Sequence, residues 1–170
     1  IDLFAGPGGL GEGFSSYKTP KGEYPFKIAI SIEKEKSAHA TLTLRAFYRQ
    51  FMDKKAPDEY YSFLRGELGD SPEDALYRIK SISHQVNAAK REARCLELGK
   101  DNNDIDIAID MALIGTNDSI LIGGPPCQAY SLVGRSRRKN ISEYIPENDG
   151  RNYLYQEYLR ILRKYNPAVF

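Results

Sequence analysis

Cysteine and histidine are scarce in this chain, and their scarcity removes two classes of protein at the outset. Among 170 residues there are two cysteines, Cys95 and Cys127, too few for a disulfide scaffold and in keeping with a reducing, cytoplasmic setting. The two histidines, His39 and His84, stand far apart without the partner set a metal needs, so no metal site is expected. Long apolar runs are missing as well. None reaches the roughly 20 residues that cross a bilayer, and no signal peptide opens the chain, so no membrane partner is expected. Neither sign of charge dominates: 24 Lys and Arg face 23 Asp and Glu, and a net charge of +1 points to no partner class by itself. A starting methionine is also lacking. Ile1 already lies inside an apolar strand, which suggests a segment of something longer. What remains, 41% hydrophobic and 28% charged residues, is enough for one globular domain with a real core.

Glycine and proline, by contrast, are placed where they organise the chain. Residues 119–122 form an apolar, β-branched run suited to a central parallel strand, and Gly123-Gly124 lets backbone or ligand come close. Pro125 and Pro126 then fix the exit before Cys127. In an open α/β sheet ligands bind beyond the carboxyl ends of strands, so a thiol held there faces a bound substrate with little freedom left to lose. A lone cysteine in such a turn is otherwise a small buried residue, and only its context argues for chemistry. That context is the opening of the chain. Ile1-Asp2-Leu3-Phe4 reads as a strand feeding Ala5-Gly6-Pro7-Gly8-Gly9-Leu10-Gly11, in which Gly6, Gly8 and Gly11 fit the G-x-G-x-x-G spacing of a nucleotide cradle. A second strand over residues 26–32 ends on Glu33, roughly 20 residues further on, where such sites place the acid that accepts from ribose hydroxyls. The competing reading makes the glycines a plain turn and Glu33 a solvated helix start.

Together these residues resemble the DNA cytosine-5 methyltransferase family. Asp2-Leu3-Phe4-Ala5-Gly6-Pro7-Gly8-Gly9 is similar to the family's S-adenosylmethionine loop, Glu33 to its second motif, and Gly124-Pro125-Pro126-Cys127-Gln128 to the fourth, which carries the nucleophile. Asp149-Gly150-Arg151-Asn152-Tyr153-Leu154-Tyr155 resembles the fifth. The likeness is clear over residues 1–50 and 117–170 and weak between. It implies an α/β, Rossmann-like fold with a mainly parallel sheet, incomplete at its C-terminal side, with a helical insertion over about 53–116. It implies S-adenosyl-L-methionine as cofactor, held by Phe4, Ala5, Gly6, Pro7, Gly8, Gly9, Glu33, Lys34, Glu67, Pro126 and Leu154. Cys127 would be the nucleophile, and Gln128, Ser131, Arg135, Arg137 and Arg138 would meet double-stranded DNA carrying a flipped cytosine. A cognate restriction endonuclease remains an open partner.

Elsewhere the patterns are those of packing. Leu10 and Phe14, one turn apart, are expected to seat the first helix on the sheet, and Ser37 to cap a second helix with Ala38, Leu42, Arg45, Ala46 and Phe47 on one face. Residues 60–64 read as a third parallel strand leading into Gly66-Glu67-Leu68, a loose form of the family's third motif; Asp104 and Asp106 are the alternatives for its acid. After Ser71-Pro72-Glu73-Asp74, a helix start, Leu76, Ile79, Ile82, Val86, Ala89, Ala93 and Leu96 form one stripe, so a single long helix is expected to end near Gly99, followed by another over residues 105–113. The run Gly134-Arg135-Ser136-Arg137-Arg138-Lys139 suits phosphate contact, with a bland basic loop as its competitor. A last helix carries Leu154, Tyr158, Leu159 and Leu162 to the stop at Asn166-Pro167.

The family's chemistry explains the residue types. A thiolate added to carbon 6 of cytosine makes carbon 5 nucleophilic toward a sulfonium methyl group, and a thiol of pKa about 8.5 needs help to ionise, which Arg135 or a helix terminus would give. The family's proton-donating glutamate, in an E-N-V segment, and its target-recognition region do not occur here, so these residues alone are expected to bind cofactor weakly and turn over hardly at all. Three rivals stay open: an NAD-dependent oxidoreductase, which leaves the cysteine turn unexplained; a non-catalytic nucleic-acid-binding relic of the fold; and the same chemistry on RNA.

Overall fold

The computed structural model describes residues 1–51, 55–70, 72–125 and 153–170. Four short strands form one wholly parallel sheet: β1 (Asp2–Leu3), β2 (Ser31–Glu33), β3 (Ala93–Cys95) and β4 (Ile122–Gly123), in the order β3-β2-β1-β4. The register is direct, with Asp2 opposite Ser31 and Ile122, Leu3 opposite Ile32 and Gly123, and Glu33 opposite Cys95. A further parallel bridge joins Ile120 to Val169. The chain thus builds outward from β1 to β3 and then crosses back to β4 on the other side of β1. That reversal puts a crevice at the carboxyl ends of β1 and β4, where open α/β sheets take ligands.

Helices cover both faces. On one, Leu3, Ile30, Ile32 and Leu121 pack against Ile105 and Ile109 of α6 (Asn102–Ala112) and Ile161 of α7 (Leu154–Tyr165). On the other, Leu42, Ala46 and Phe47 of α2 (Lys36–Arg49) pack against Leu76 of α4 (Pro72–Tyr77) and Val86 and Ala89 of α5 (Ser83–Glu92). The first helix, α1 (Gly9–Ser16), buries Gly11 and Ser15, while Leu10 is half-exposed and Phe14 meets Phe26 edge-on at 5.3 Å. Leu10 therefore does not seat α1 on the sheet; the small residues do, because that face comes too close to β1 for a large side chain. Closeness also decides Gly123, where a Cβ would stand 2.2 Å from the Leu3 carbonyl oxygen.

Two elements of the middle stretch differ from expectation. Residues 60–64 are helical, within α3 (Asp58–Leu64). Asp58 and Glu59 suit the positive end of a helix dipole, and Tyr60 and Phe63, three apart, turn together toward the Phe47 cluster. The single long helix is broken instead into α4, a 3₁₀ turn (Lys80–Ile82) and α5, and ends in the third strand at Ala93. Ile79 is extended, so the chain turns there and both helices present their apolar residues to one core. Of the stretch 53–116, β3 lies within the sheet and α6 within the core layer. The last helix buries Ile161, with Leu159 exposed, and stops at Asn166 in the left-handed conformation.

Candidate active site

The loops after all four strands emerge at one edge of the sheet: residues 4–9 after β1, Glu33 and Lys34 after β2, Leu96 and Glu97 after β3, and Gly124 and Pro125 after β4. The first loop is a tight reversal. Phe4 takes φ 56°, a left-handed conformation uncommon for a bulky side chain, followed by Gly6 at 55° and Gly8 at 89°. It is held by Ala5 N–H donating to the Ile32 carbonyl at 3.0 Å and Gly8 N–H to the Ala5 carbonyl at 3.0 Å. Gly8 has no room for a side chain, since a Cβ would lie 2.8 Å from Leu42 Cδ1, whereas Gly6 and Gly9 face open space. Gly8 also brings no side-chain cap to α1, so the first-turn amides look toward the open side of the loop.

Glu33 closes this loop from β2. Its Oε2 accepts from Gly6 N at 2.8 Å and its Oε1 from Glu35 N at 2.7 Å, joining the glycine turn to the start of α2. Each carboxylate oxygen keeps lone-pair capacity for a ligand hydroxyl. The α2 cap is Glu35 rather than Ser37: its carboxylate accepts from Ala38 N at 2.6 Å and Ser37 N at 3.1 Å, and these amides hold it below the ordinary glutamate range. The helix begins two residues earlier than a Ser37 cap requires.

Glu67 is not brought to this edge. It follows α3, not a strand, and lies exposed against Arg65, with Nε to Oε1 at 2.6 Å and Nη2 to Oε2 at 2.8 Å. Asp104 is exposed on the first turn of α6, and Asp106 is occupied by Arg160 at 2.8 Å and Lys164 at 2.9 Å on α7. The acid at the β3 end is Glu97, with Lys34 Nζ at 3.1 Å and Lys100 Nζ at 2.8 Å. The two lysines, Lys100 first, hold its carboxyl below the ordinary range. The signal was Ala93-Arg94-Cys95-Leu96 ahead of that acid, hidden because Ala93 and Leu96 also continue a helical stripe. Leu154 opens α7, half-buried, and the same turn meets the start of α6 through Asn102 Nδ2 donating to Glu157 Oε2 at 2.9 Å.

Under the glycine loop, Asp2 is buried at 1% exposure, and neither oxygen has a well-formed hydrogen bond among the described residues. Its carboxyl faces Gly11, whose Cβ would stand 3.0 Å from Oδ2, so the amide of α1 gives only partial relief. Burial pushes this group up to about 6 from 3.8, against the opposing pull of the Gly11 amide and Arg49. Between those values the folded state holds a proton that the unfolded chain has released, so stability falls as pH rises, by about 3 kcal/mol in all. Asp2→Asn is expected to flatten this part of the stability profile between pH 4 and pH 7, measured by denaturant unfolding; an unchanged slope would contradict it.

Pro126, Cys127, Gln128, Ser131, Arg135, Arg137 and Arg138 lie outside the described residues. Among the described residues no cluster of three His, Cys, Asp or Glu is placed to hold a metal, and no helix is long and apolar enough to cross a membrane.

Residues 90–170, from the end of α5 through β3, β4 and α7, match the family model described as C-5 cytosine-specific DNA methylase. A type II methyltransferase of Bacillus paralicheniformis is 34% identical over 186 residues, covering 100% of this chain and 39% of that protein. The family likeness is to the C-5 cytosine-specific DNA methylases. A putative type II methyltransferase of Methanocaldococcus jannaschii is 28% identical over 179 residues, covering 100% of this chain and 46% of the relative. A type II methyltransferase of Picosynechococcus is 28% identical over 170 residues, covering 100% and 45%. The chain thus spans less than half the length of these curated relatives. No solved structure matches it. The four-stranded parallel sheet with helices on both faces is the Rossmann-like arrangement that the family resemblance implies.

Proposed function

We propose that this chain is the cofactor-binding and nucleophile-bearing part of a DNA cytosine-5 methyltransferase that uses S-adenosyl-L-methionine, with Cys127 forming the covalent bond to cytosine. The observation that carries this reading is the meeting, at one edge of the sheet, of the left-handed Phe4–Gly8 turn, the Glu33 carboxylate bound to Gly6 N, and the β4 exit that leads through Gly124-Pro125 to Cys127. The residues fit the cofactor. Open space at Gly6 and Gly9 admits a ligand chain beside the amides of α1, Glu33 offers acceptors for ribose hydroxyls, and Glu97 replaces Glu67 as the acid for the base. When bound, S-adenosyl-L-methionine supplies an electrophilic methyl group.

The chain's own part is to orient and to attack. The Cys127 thiolate adds to carbon 6 of a cytosine flipped from the duplex, at a cost of a few kcal/mol in unstacking. Carbon 5 then takes the methyl group, its proton leaves to a base, and elimination of the thiolate restores the ring. Gln128, Ser131, Arg135, Arg137 and Arg138 are assigned to the DNA backbone and the entry of the base. Pairing with a restriction endonuclease is part of the same reading.

Calorimetric titration with S-adenosylhomocysteine, with NAD as control, tests the cofactor half. The homocysteine compound is expected to bind and NAD not, with Glu33→Ala weakening binding by roughly 1 to 3 kcal/mol. Preferential binding of NAD would move the chain to the oxidoreductases.

A further inference from the structure

Beyond the strand-end acids, the same edge holds an ion pair that reaches from one strand to the next. Glu33 and Cys95 are register partners on β2 and β3, so the residues that follow them stand side by side. The Cys95 thiol donates to the Lys34 carbonyl at 3.8 Å, and Lys34 Nζ reaches Glu97 Oε1 at 3.1 Å. The Glu97 backbone is fixed: its N–H donates to Asp101 Oδ2 at 2.8 Å and its carbonyl accepts from Asp101 N at 2.9 Å. Its carboxylate is shared between Lys34, coming from β2, and Lys100, in its own turn. Each lysine thus holds one oxygen of this carboxylate, Lys34 taking Oε1 from β2 and Lys100 taking Oε2 from within the turn.

We infer that Lys34 is a positioning residue that sets the base specificity of the nucleoside pocket, by holding Glu97 as an acceptor-only anion at the β2–β3 edge. This deepens the cofactor reading above and rests on it. A carboxylate held there accepts from an exocyclic amine, as on adenine, and repels a carbonyl oxygen at the same place, as on hypoxanthine. Because Lys34 is more than half exposed and Glu97 partly so, the pair is a modest lever on affinity and a larger one on discrimination.

The test is calorimetric binding of S-adenosylhomocysteine and S-inosylhomocysteine to the intact protein and its variants. The wild type is expected to prefer the adenine compound by about tenfold, the scale of one charged hydrogen bond. Lys34→Ala is expected to weaken its binding by about two- to fivefold and shrink that preference, Lys34→Arg to restore both, and Glu97→Gln to remove the preference so that adding Lys34→Ala changes nothing more. An unchanged preference in Lys34→Ala, with the adenine compound still bound, would overturn the role of Lys34 alone. Binding of neither compound by the wild type would overturn the cofactor reading and this inference with it.

Discussion

Replacing Arg49 with methionine is expected to cost about 3 to 5 kcal/mol of stability. Arg49, at the end of α2, is 7% exposed and stands between Glu12 of α1, at 2.6 Å, and Glu92 at the end of α5. Burial raises the Glu92 carboxyl above the ordinary glutamate range even with the guanidinium bound to it, so desolvation outweighs the pair's attraction at that position. Without Arg49 the Glu92 charge has no compensation, and Glu12 loses the tie that draws α1 onto α2 beneath the glycine loop. A raised carboxyl is destabilising where it must ionise, above its unfolded value. The loss in Arg49→Met should therefore shrink toward acid pH, where Glu92 keeps its proton, and Arg49→Met/Glu92→Leu should recover part of it. Urea unfolding of the three proteins at pH 5 and pH 8 measures this. A loss below about 1 kcal/mol at pH 8 would mean that the cluster behaves as a surface pair.

In the intact protein Cys127→Ala is expected to lower methyl transfer to duplex DNA by about ten-thousandfold or more, while S-adenosylhomocysteine binding is unchanged. The two readouts separate the parts of the site. The glycine turn and Glu33 belong to β1 and β2, and among the described residues their geometry is set by Ile32, Gly6 and Leu42. Loss of both activities together would instead mean that Cys127 supports the fold. Radiolabelled methyl incorporation into DNA, run beside the binding titration, distinguishes these outcomes.

What could be read from the sequence followed from how local each constraint was. The turn at Gly6 and Gly8 was legible because positive φ at both and, at Gly8, the absence of space for a Cβ are demands of single residues, which glycine alone meets cheaply. Glu33 was legible because one strand and one spacing sufficed. The third strand was not, because Ala93-Arg94-Cys95 is only three residues long and its alanine continues the stripe of α5; pairing with β2 overrides that helical preference. With β3 misplaced, its terminal acid was sought at Glu67 instead of Glu97. The aromatic run at 60–64 suggested a strand on propensity, but packing on Phe47 made it a helix. The Arg49–Glu92 contact, 43 residues apart, left no periodic trace at all.

The central claim, one site made of a nucleoside cradle and an attacking thiol, is tested most directly by covalent trapping. The intact protein is incubated with duplex DNA carrying 5-fluorocytosine, with and without S-adenosyl-L-methionine, and resolved under denaturing conditions. The fluorine blocks the final loss of a proton from carbon 5, so the account predicts a denaturation-resistant protein–DNA adduct that requires S-adenosyl-L-methionine and is absent in Cys127→Ala. An adduct that persists in Cys127→Ala, or none at all from a protein that binds both DNA and S-adenosylhomocysteine, would contradict it.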